Sequence, residues 1–438
     1  MKVLKFGGTS VGSAARMKDV ANLVCDGIPK LVVLSAMSGT TNSLIEIADN
    51  LYKKNSSGAM ELINSLEQKY QLVCDELYSS EKYLSETKAF IKEKFDYLRS
   101  LSKSIFTSFE EKCIVAQGEL ISTRLFTNYL LEKGVNTCLL PALDYMRIDK
   151  NAEPDMAYIT EHLKELLDAN QGYDQYITQG FICTNFYGET DNLQRGGSDY
   201  TASIIGAAIE AEEIQIWTDI DGMHNNDPRF VEGTDPVPFL HFEEAAELAY
   251  FGAKILHPTC ILPAKLHNIP VRLLNTMDPS AHGTLISNEI NKGKIEAIAA
   301  KDGIASIKIK SGRMLLAYGF LRKVFEIFET YQTSIDMITT SEVGVSVSID
   351  NLKHLDEIVN DLKKFGTVTV ETDMVIICVV GDLPYQNVGF QAKVVDALKD
   401  IPIRMISYGG SNYNISFLIK SEDKVRALRA LSAHIFAK

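Results

Sequence analysis

The sequence predicts an α/β protein with a C-terminal α+β region, and three observations carry that expectation. Short, continuously apolar segments alternate with helical patterns near the N-terminus, as in a parallel sheet covered on both faces. A long, charged, helix-patterned stretch from about 57 to 112 interrupts the alternation. Towards the C-terminus, a helix–strand–strand–helix pattern occurs twice, offset by about 70 residues.

Val3 to Phe6 reads as a short strand, followed by a Gly-rich turn and a helix from about Ser13 to Cys25. Leu31 to Ala36 (LVVLSA) is a buried-type strand, and a helix follows from about Asn42. After the helical excursion, the alternation resumes with strands at Thr137 to Leu140, Tyr176 to Phe181 and Ile214 to Asp219, and with a helix from Tyr200. Gly118-Glu119 is expected to precede a helix from Leu120, which would favour the Glu119 carboxylate through the helix dipole.

Residues 287 to 303 are polar and interrupted, which places a domain boundary at 297/298 and gives regions 1–297 and 298–438. Gly319-Phe320 opens one repeat (GFLRKVFEIFETY, SIDMITTSE, VGVSVSID), and Gly389-Phe390 opens the other (GFQAKVVDALKD, PIRMISYGGS, NYNISFLIK). Amphipathic helices at 352–364 and 422–435 trail them. The copies, about 312–372 and 373–438, each read as βαββα, short of the ferredoxin-like βαββαβ. Residues 303–311, with the apolar run Ala305 to Lys310, are expected to complete the second copy.

The 438 residues suffice for two to four domains. A balance of 44 Lys plus Arg against 57 Asp plus Glu, net -13, argues against a nucleic-acid binder. The longest apolar runs, such as Val375 to Val380, are too short to span a bilayer, and MKVLKFGGTS lacks a signal-peptide core. Seven scattered cysteines without a CxxC pair fit reduced thiols rather than zinc. A cytoplasmic protein is expected.

Four short motifs and one single residue, Ser35, carry chemistry. In Lys5-Phe6-Gly7-Gly8-Thr9-Ser10, paired glycines after a strand let backbone N–H groups approach a phosphate beside a cation; an ordinary βα turn has the same form. Gln194-Arg195-Gly196-Gly197-Ser198-Asp199 precedes an apolar helix and makes a second anion cradle, with Arg195 able to fork onto a carboxylate. Ser198 or Asp199 also fits a helix cap. Thr218-Asp219-Ile220-Asp221-Gly222 to Asp227-Pro228-Arg229 follows a strand, where α/β proteins bind ligands. Gly252-Ala253-Lys254 before His257-Pro258 is a weaker candidate, and Ser35 ends a buried strand.

In the order KFGGTSVGS, VVLSAMSGTTN, QGELIST, RGGSDYTAS, TDIDGMHNNDPR and FGAKILHP, the chain resembles aspartate kinases over essentially its whole length. Its repeat resembles their tandem ACT domains, closest to the lysine-sensitive, monofunctional branch. The resemblance implies an amino-acid-kinase-like parallel sheet sandwich that uses ATP with Mg²⁺ to phosphorylate the β-carboxylate of L-aspartate. By motif, Lys5, Gly8 and Asp199 would be catalytic, with Lys5, Gly7, Gly8 and Ser10 facing the phosphoryl group. Ser35, Thr41, Glu119, Arg195 and Ser198 would hold aspartate. Thr218, Asp219, His224, Arg229 and Lys254 would line the nucleotide site, His224 standing where the family usually has Tyr. No protein metal ligand is implied.

An L-lysine effector would lie among Met314, Ala317, Phe320, Leu321, Ser334, Ile335, Asp336, Ser341 and Glu342. Arg404 stands in the second copy where the first has Asp336, so only the first copy suits a cation. The resemblance further implies a homodimer through the ACT repeats, or a tetramer. The alternatives are another carboxylate kinase of the same fold and a non-catalytic amino-acid sensor.

Overall fold

The computed structural model describes residues 1–102, 106–193, 196–252, 257–312 and 318–436. The chain opens with β1 (Lys2–Phe6), α1 (Ala14–Val24), β2 (Lys30–Leu34) and α2 (Thr40–Tyr52), then α3 (Ser56–Leu77), α4 (Glu81–Leu101) and α5 (Ser108–Glu132). Next come β3 (Thr137–Leu140), the single turn α6 (Ala142–Tyr145), α7 (Met156–Ala169) and β4 (Gln175–Gln179). A ribbon of β5 (Ile182–Thr184) and β6 (Thr190–Asn192) precedes α8 (Gly197–Ala208) and β7 (Ile214–Thr218). β8 (Phe239–His241), α9 (Phe242–Tyr250), α10 (Leu262–Leu266), β9 (Val271–Asn275) and β10 (Thr284–Ser287) follow. The C-terminal set is β11 (Ile295–Lys310), α11 (Phe320–Thr330), β12 (Met337–Ser341), β13 (Gly344–Ile349), α12 (Leu355–Leu362), β14 (Thr367–Gly381), α13 (Phe390–Ala397), β15 (Ile403–Ser407), β16 (Asn414–Lys420) and α14 (Lys424–Ile435).

Two compact units emerge: Met1–Met223 with Leu256–Asn288, and His224–Ile255 with Glu289–Lys438. The boundary expected at 297/298 is therefore displaced, and residues 224–255, read above as part of the first region, group with the C-terminal unit.

In the first unit the strands run in the order β3-β4-β2-β1-β7-β9-β10. Every pair is parallel except β9–β10. β2 is buried along its whole length and β1 nearly so, which explains the apolar run Leu31–Leu34 and the apolar residues on both sides of Lys5 in β1. The excursion packs onto the same core, with Ile63 and Tyr70 of α3, Ile91 and Phe95 of α4, and Met17 of α1 in one cluster.

One expectation fails here. α5 runs unbroken through Gly118-Glu119, so no helix starts at Leu120 and Glu119 is not in a first turn. A Cβ at Gly118 would lie 2.8 Å from the Ala36 Cβ, so this glycine serves close packing against the end of β2 and does not break the helix.

The second unit holds a six-stranded sheet, β12-β13-β11-β14-β16-β15, antiparallel throughout. Its central strands are long, and each carries one residue of positive φ, Gly303 at 76° and Asp373 at 57°. These residues divide each strand between the two repeats. Ala305–Lys310 pairs with β13 and with Thr367–Glu371, as part of the first repeat. Ile295–Lys301 pairs with Ile376–Gly381 and supplies the fourth strand of the second. The missing strand therefore comes from residues just before 303–311, and Ala305 to Lys310 belong to the first copy.

Candidate active site

Lys5 lies near the carboxyl end of β1, a strand flanked by β2 and β7. Its side chain is nearly buried, and Nζ stands 2.6 Å from Asp199 Oδ1. Asp199 falls in the first turn of α8, whose N-cap Gly196 adopts a left-handed conformation (φ 79°), as does Gly197 (φ 42°). The two glycine motifs, far apart in sequence, thus meet at one ion pair.

The Gly7-Gly8 turn is held by Gly7 N–H donating to the Trp217 carbonyl (3.3 Å) and Ser38 N–H to the Gly8 carbonyl (3.0 Å). A Cβ on Gly8 would meet the Ala36 carbonyl at 2.9 Å, so this close approach favours glycine. Ser10 is fully buried, with its hydroxyl 2.7 Å from that of Thr276. It stabilises the turn from beneath and is absent from the cavity described next.

A cavity of about 310 Å³ opens beside this turn, lined by Gly8, Ser35, Thr41, Glu119, Phe181 and Ser198 among others. Five of these were singled out from the sequence. The Ser35 hydroxyl donates to that of Ser198 at 2.9 Å. Glu119 is 3% exposed; Oε1 accepts the Ala36 N–H at 3.2 Å, while Oε2 has no hydrogen-bond partner among the described residues. Burial raises this carboxyl to about 8, the Ala36 hydrogen bond only partly opposing it. A buried acid with an unused oxygen on a cavity wall suits a cationic group of a ligand.

Phe181, Ser38 and Lys69 were missed. Phe181 adopts φ 66°, a strained conformation for an aromatic residue that no sequence pattern marks. Lys69 comes from α3 and donates to the Ser38 carbonyl at 2.9 Å.

Of the nucleotide candidates, Thr218 ends β7, and its hydroxyl accepts the Ile220 N–H at 3.2 Å in a local turn, with Asp219 exposed beside it. His224 and Arg229 fall in the second unit. There His224 Nδ1 is 2.9 Å from the Thr234 hydroxyl, and exposed Arg229 pairs with Asp227 at 2.6 Å. Arg195 and Lys254 lie outside the described residues, as do Met314 and Ala317.

Among the effector candidates, Phe320 and Leu321 open α11; Phe320 is buried and Leu321 half-buried. Ile335 is half-buried, and Ser334, Ser341 and Glu342 are exposed. The Asp336 side chain is fully buried and already partnered: Oδ1 accepts from Lys301 Nζ at 2.7 Å and from the Tyr250 hydroxyl at 2.8 Å. Burial raises its carboxyl despite these bonds. Lys301 also pairs with Asp350 at 2.9 Å and stands over the Tyr250 ring at 4.1 Å. Arg404 of the second repeat pairs with Glu371, in the part of β14 that belongs to the first, at 2.9 Å. Lys301 and Glu371 each lie two residues before the positive-φ residue of their strand, so the repeats carry equivalent ion pairs of reversed charge.

Comparison with known proteins adds the family. The model of the amino acid kinase family matches residues 1–275, and an ACT domain model matches 377–435. The lysine-sensitive aspartokinase 3 of Escherichia coli is 34% identical over 449 residues, covering 99% of both chains. The structure of E. coli aspartokinase III with aspartate and ADP in the R-state superposes with a TM-score of 0.84 at 33% identity, covering 100% of both chains. That enzyme with lysine and aspartate in the T-state gives 0.82 at 33% identity, covering 100% of this chain and 99% of that one. With an identity and coverage that span the kinase and ACT regions together, this chain belongs to the aspartokinase family.

Proposed function

We propose that the chain transfers the γ-phosphoryl group of ATP to the β-carboxylate of L-aspartate, giving 4-phospho-L-aspartate, a first step towards lysine, threonine and methionine. The observation that carries this reading is one cavity lined both by Gly8 of the phosphate turn and by Ser35, Thr41, Glu119 and Ser198. Donor and acceptor chemistry share a wall.

The acceptor carboxylate, with a free pKa of about 3.9, is ionised at neutral pH and needs no general base. The difficulty is repulsion between two anions. Lys5, held by Asp199, and the backbone N–H groups of the Gly7-Gly8 turn offset the charge spreading over the phosphoryl oxygens. Glu119 receives the substrate ammonium on its unused oxygen, Ser35 and Ser198 serve a carboxylate, and Arg195, three residues before Ser198 in the sequence, is assigned to the same substrate. Thr218 and Asp219, at the carboxyl end of β7, are assigned to the nucleotide.

Among the described residues no group of three His, Cys, Asp or Glu side chains forms a metal site. Mg²⁺ would arrive on the nucleotide phosphates, since it is usually bound through substrate phosphates and one or two carboxylates.

The same reading makes L-lysine an inhibitor bound near Asp336 and the chain a homodimer, or a tetramer, through its ACT repeats. No helix among the described residues is long and apolar enough to cross a membrane; the reading places the enzyme in the cytoplasm. Coupled measurement of ADP release from MgATP, with and without L-aspartate, tests the activity.

A further inference from the structure

Two adjacent residues of the helical excursion reach back to the loop before α2 and to its first turn, which carries Thr41. Lys69 is half-buried on α3, and its ammonium donates to the Ser38 carbonyl at 2.9 Å. A Cβ on Gly39 would lie 3.9 Å from the same nitrogen. Tyr70, the next residue, is fully buried, and its hydroxyl is 2.9 Å from that of Thr40, itself fully buried. Tyr70 is backed by Phe95 of α4, ring centroids 6.0 Å apart, so both long helices of the excursion support the contact.

The segment they grip turns from β2 into α2, with the Thr40 N–H donating to the Met37 carbonyl at 3.0 Å. Gly39 is left-handed at φ 80° and caps α2 without a side-chain hydrogen bond. The Ser38 peptide is the junction: its N–H donates to the Gly8 carbonyl of the phosphate turn, and its carbonyl accepts from Lys69. Ser38, Gly39, Thr41 and Glu119 all line the cavity. A lysine–carbonyl bond is charge-assisted and stronger than a neutral one.

We propose that Lys69 and Tyr70 are positioning residues that clamp the Met37–Gly39 loop and the first turn of α2 against the phosphate turn and thereby set the affinity for the amino-acid acceptor. This rests on the aspartate kinase reading. It gives the excursion a role at the acceptor end of the cavity, distinct from nucleotide binding. Contacts at the cavity's edge act on ground-state binding of the acceptor, so the loss falls on its KM more than on kcat.

The test uses full-length Lys69→Met, Lys69→Arg and Tyr70→Phe, with steady-state kinetics for both substrates and thermal melts. Lys69→Met should raise the aspartate KM about tenfold while the ATP KM stays within about twofold. Lys69→Arg, which keeps a cationic donor, should restore most of the loss. Tyr70→Phe should move the aspartate KM in the same direction by less, and it carries the test alone if Lys69→Met does not fold. Unchanged aspartate KM in both Lys69→Met and Tyr70→Phe overturns the proposal. So do parallel rises in both KM values with a lowered melting temperature, since that pattern marks a structural staple only. Failure of the wild type to release ADP with aspartate would instead defeat the kinase reading.

Discussion

Lys301 and Glu371 occupy equivalent positions in the two repeats and carry opposite charges, each completing an ion pair with an equally equivalent partner, Asp336 or Arg404. The first repeat therefore holds a buried carboxylate neutralised by the protein's own lysine. Its Oδ2 has no hydrogen-bond partner among the described residues, and Asp350 offers Lys301 a second anchor. Burial alone would lower the Lys301 ammonium, but its bonds to Asp336 and Asp350 hold it above the usual value.

A cation arriving at Asp336 must compete with Lys301 for one carboxylate. Replacing Lys301 with Met should therefore sharpen inhibition by L-lysine, lowering the half-inhibitory concentration by about tenfold, because a repelling charge is removed and a buried carboxylate is left to be satisfied. L-lysine should also raise the melting temperature of this variant more than that of the wild type. The double variant Lys301→Met/Asp336→Asn should lose the gain. Unchanged or weaker inhibition in Lys301→Met would remove Asp336 from the effector site.

The pH dependence of aspartate binding should follow Glu119. With its carboxyl raised to about 8 by burial, this group is mostly protonated at pH 7 in the empty site. A substrate ammonium favours the carboxylate, so binding at pH 7 should release a proton, and the aspartate KM should fall between pH 7 and pH 8. Calorimetry in buffers of different ionisation enthalpy reads the proton directly. Glu119→Gln should abolish this release and weaken aspartate; proton release that survives the substitution would assign it elsewhere.

Lys5→Met should lower kcat by about 100-fold or more, because the ammonium acts on charge that develops during transfer. Because the nearly buried side chain is paired with Asp199, thermal melts accompany the kinetics, and a loss of kcat in a variant that remains folded at the assay temperature assigns the effect to the transfer step. Near-native kcat would take Lys5 out of the mechanism.

Much of the first unit could be read from the sequence because buried parallel strands are continuous apolar runs, as in LVVLSA and IQIWT. Glycine was the least transparent residue. At Gly8 and Gly196 it marks a turn, but at Gly118 it marks a helix packed so closely that a Cβ there would lie 2.8 Å from the Ala36 Cβ, and local sequence does not separate the two uses. β11 was misplaced for a related reason: Asp302-Gly303 reads as a linker, yet the pair bends one strand shared by two repeats. Lys69 escaped because a lysine on a charged helix is ordinarily solvated; only the tertiary fold brings it to Ser38. The partnering of Asp336 by Lys301 likewise depends on a strand crossing between repeats, which spacing alone does not encode.

The most direct test of the central claim is acceptor-dependent ADP release from MgATP by the purified full-length chain, with L-aspartate, L-glutamate, N-acetylglutamate and UMP compared side by side. The account predicts ADP formation that saturates with L-aspartate and stays near the acceptor-free rate with the other three. No aspartate-dependent ADP, or faster release with any of the rival acceptors, would contradict it.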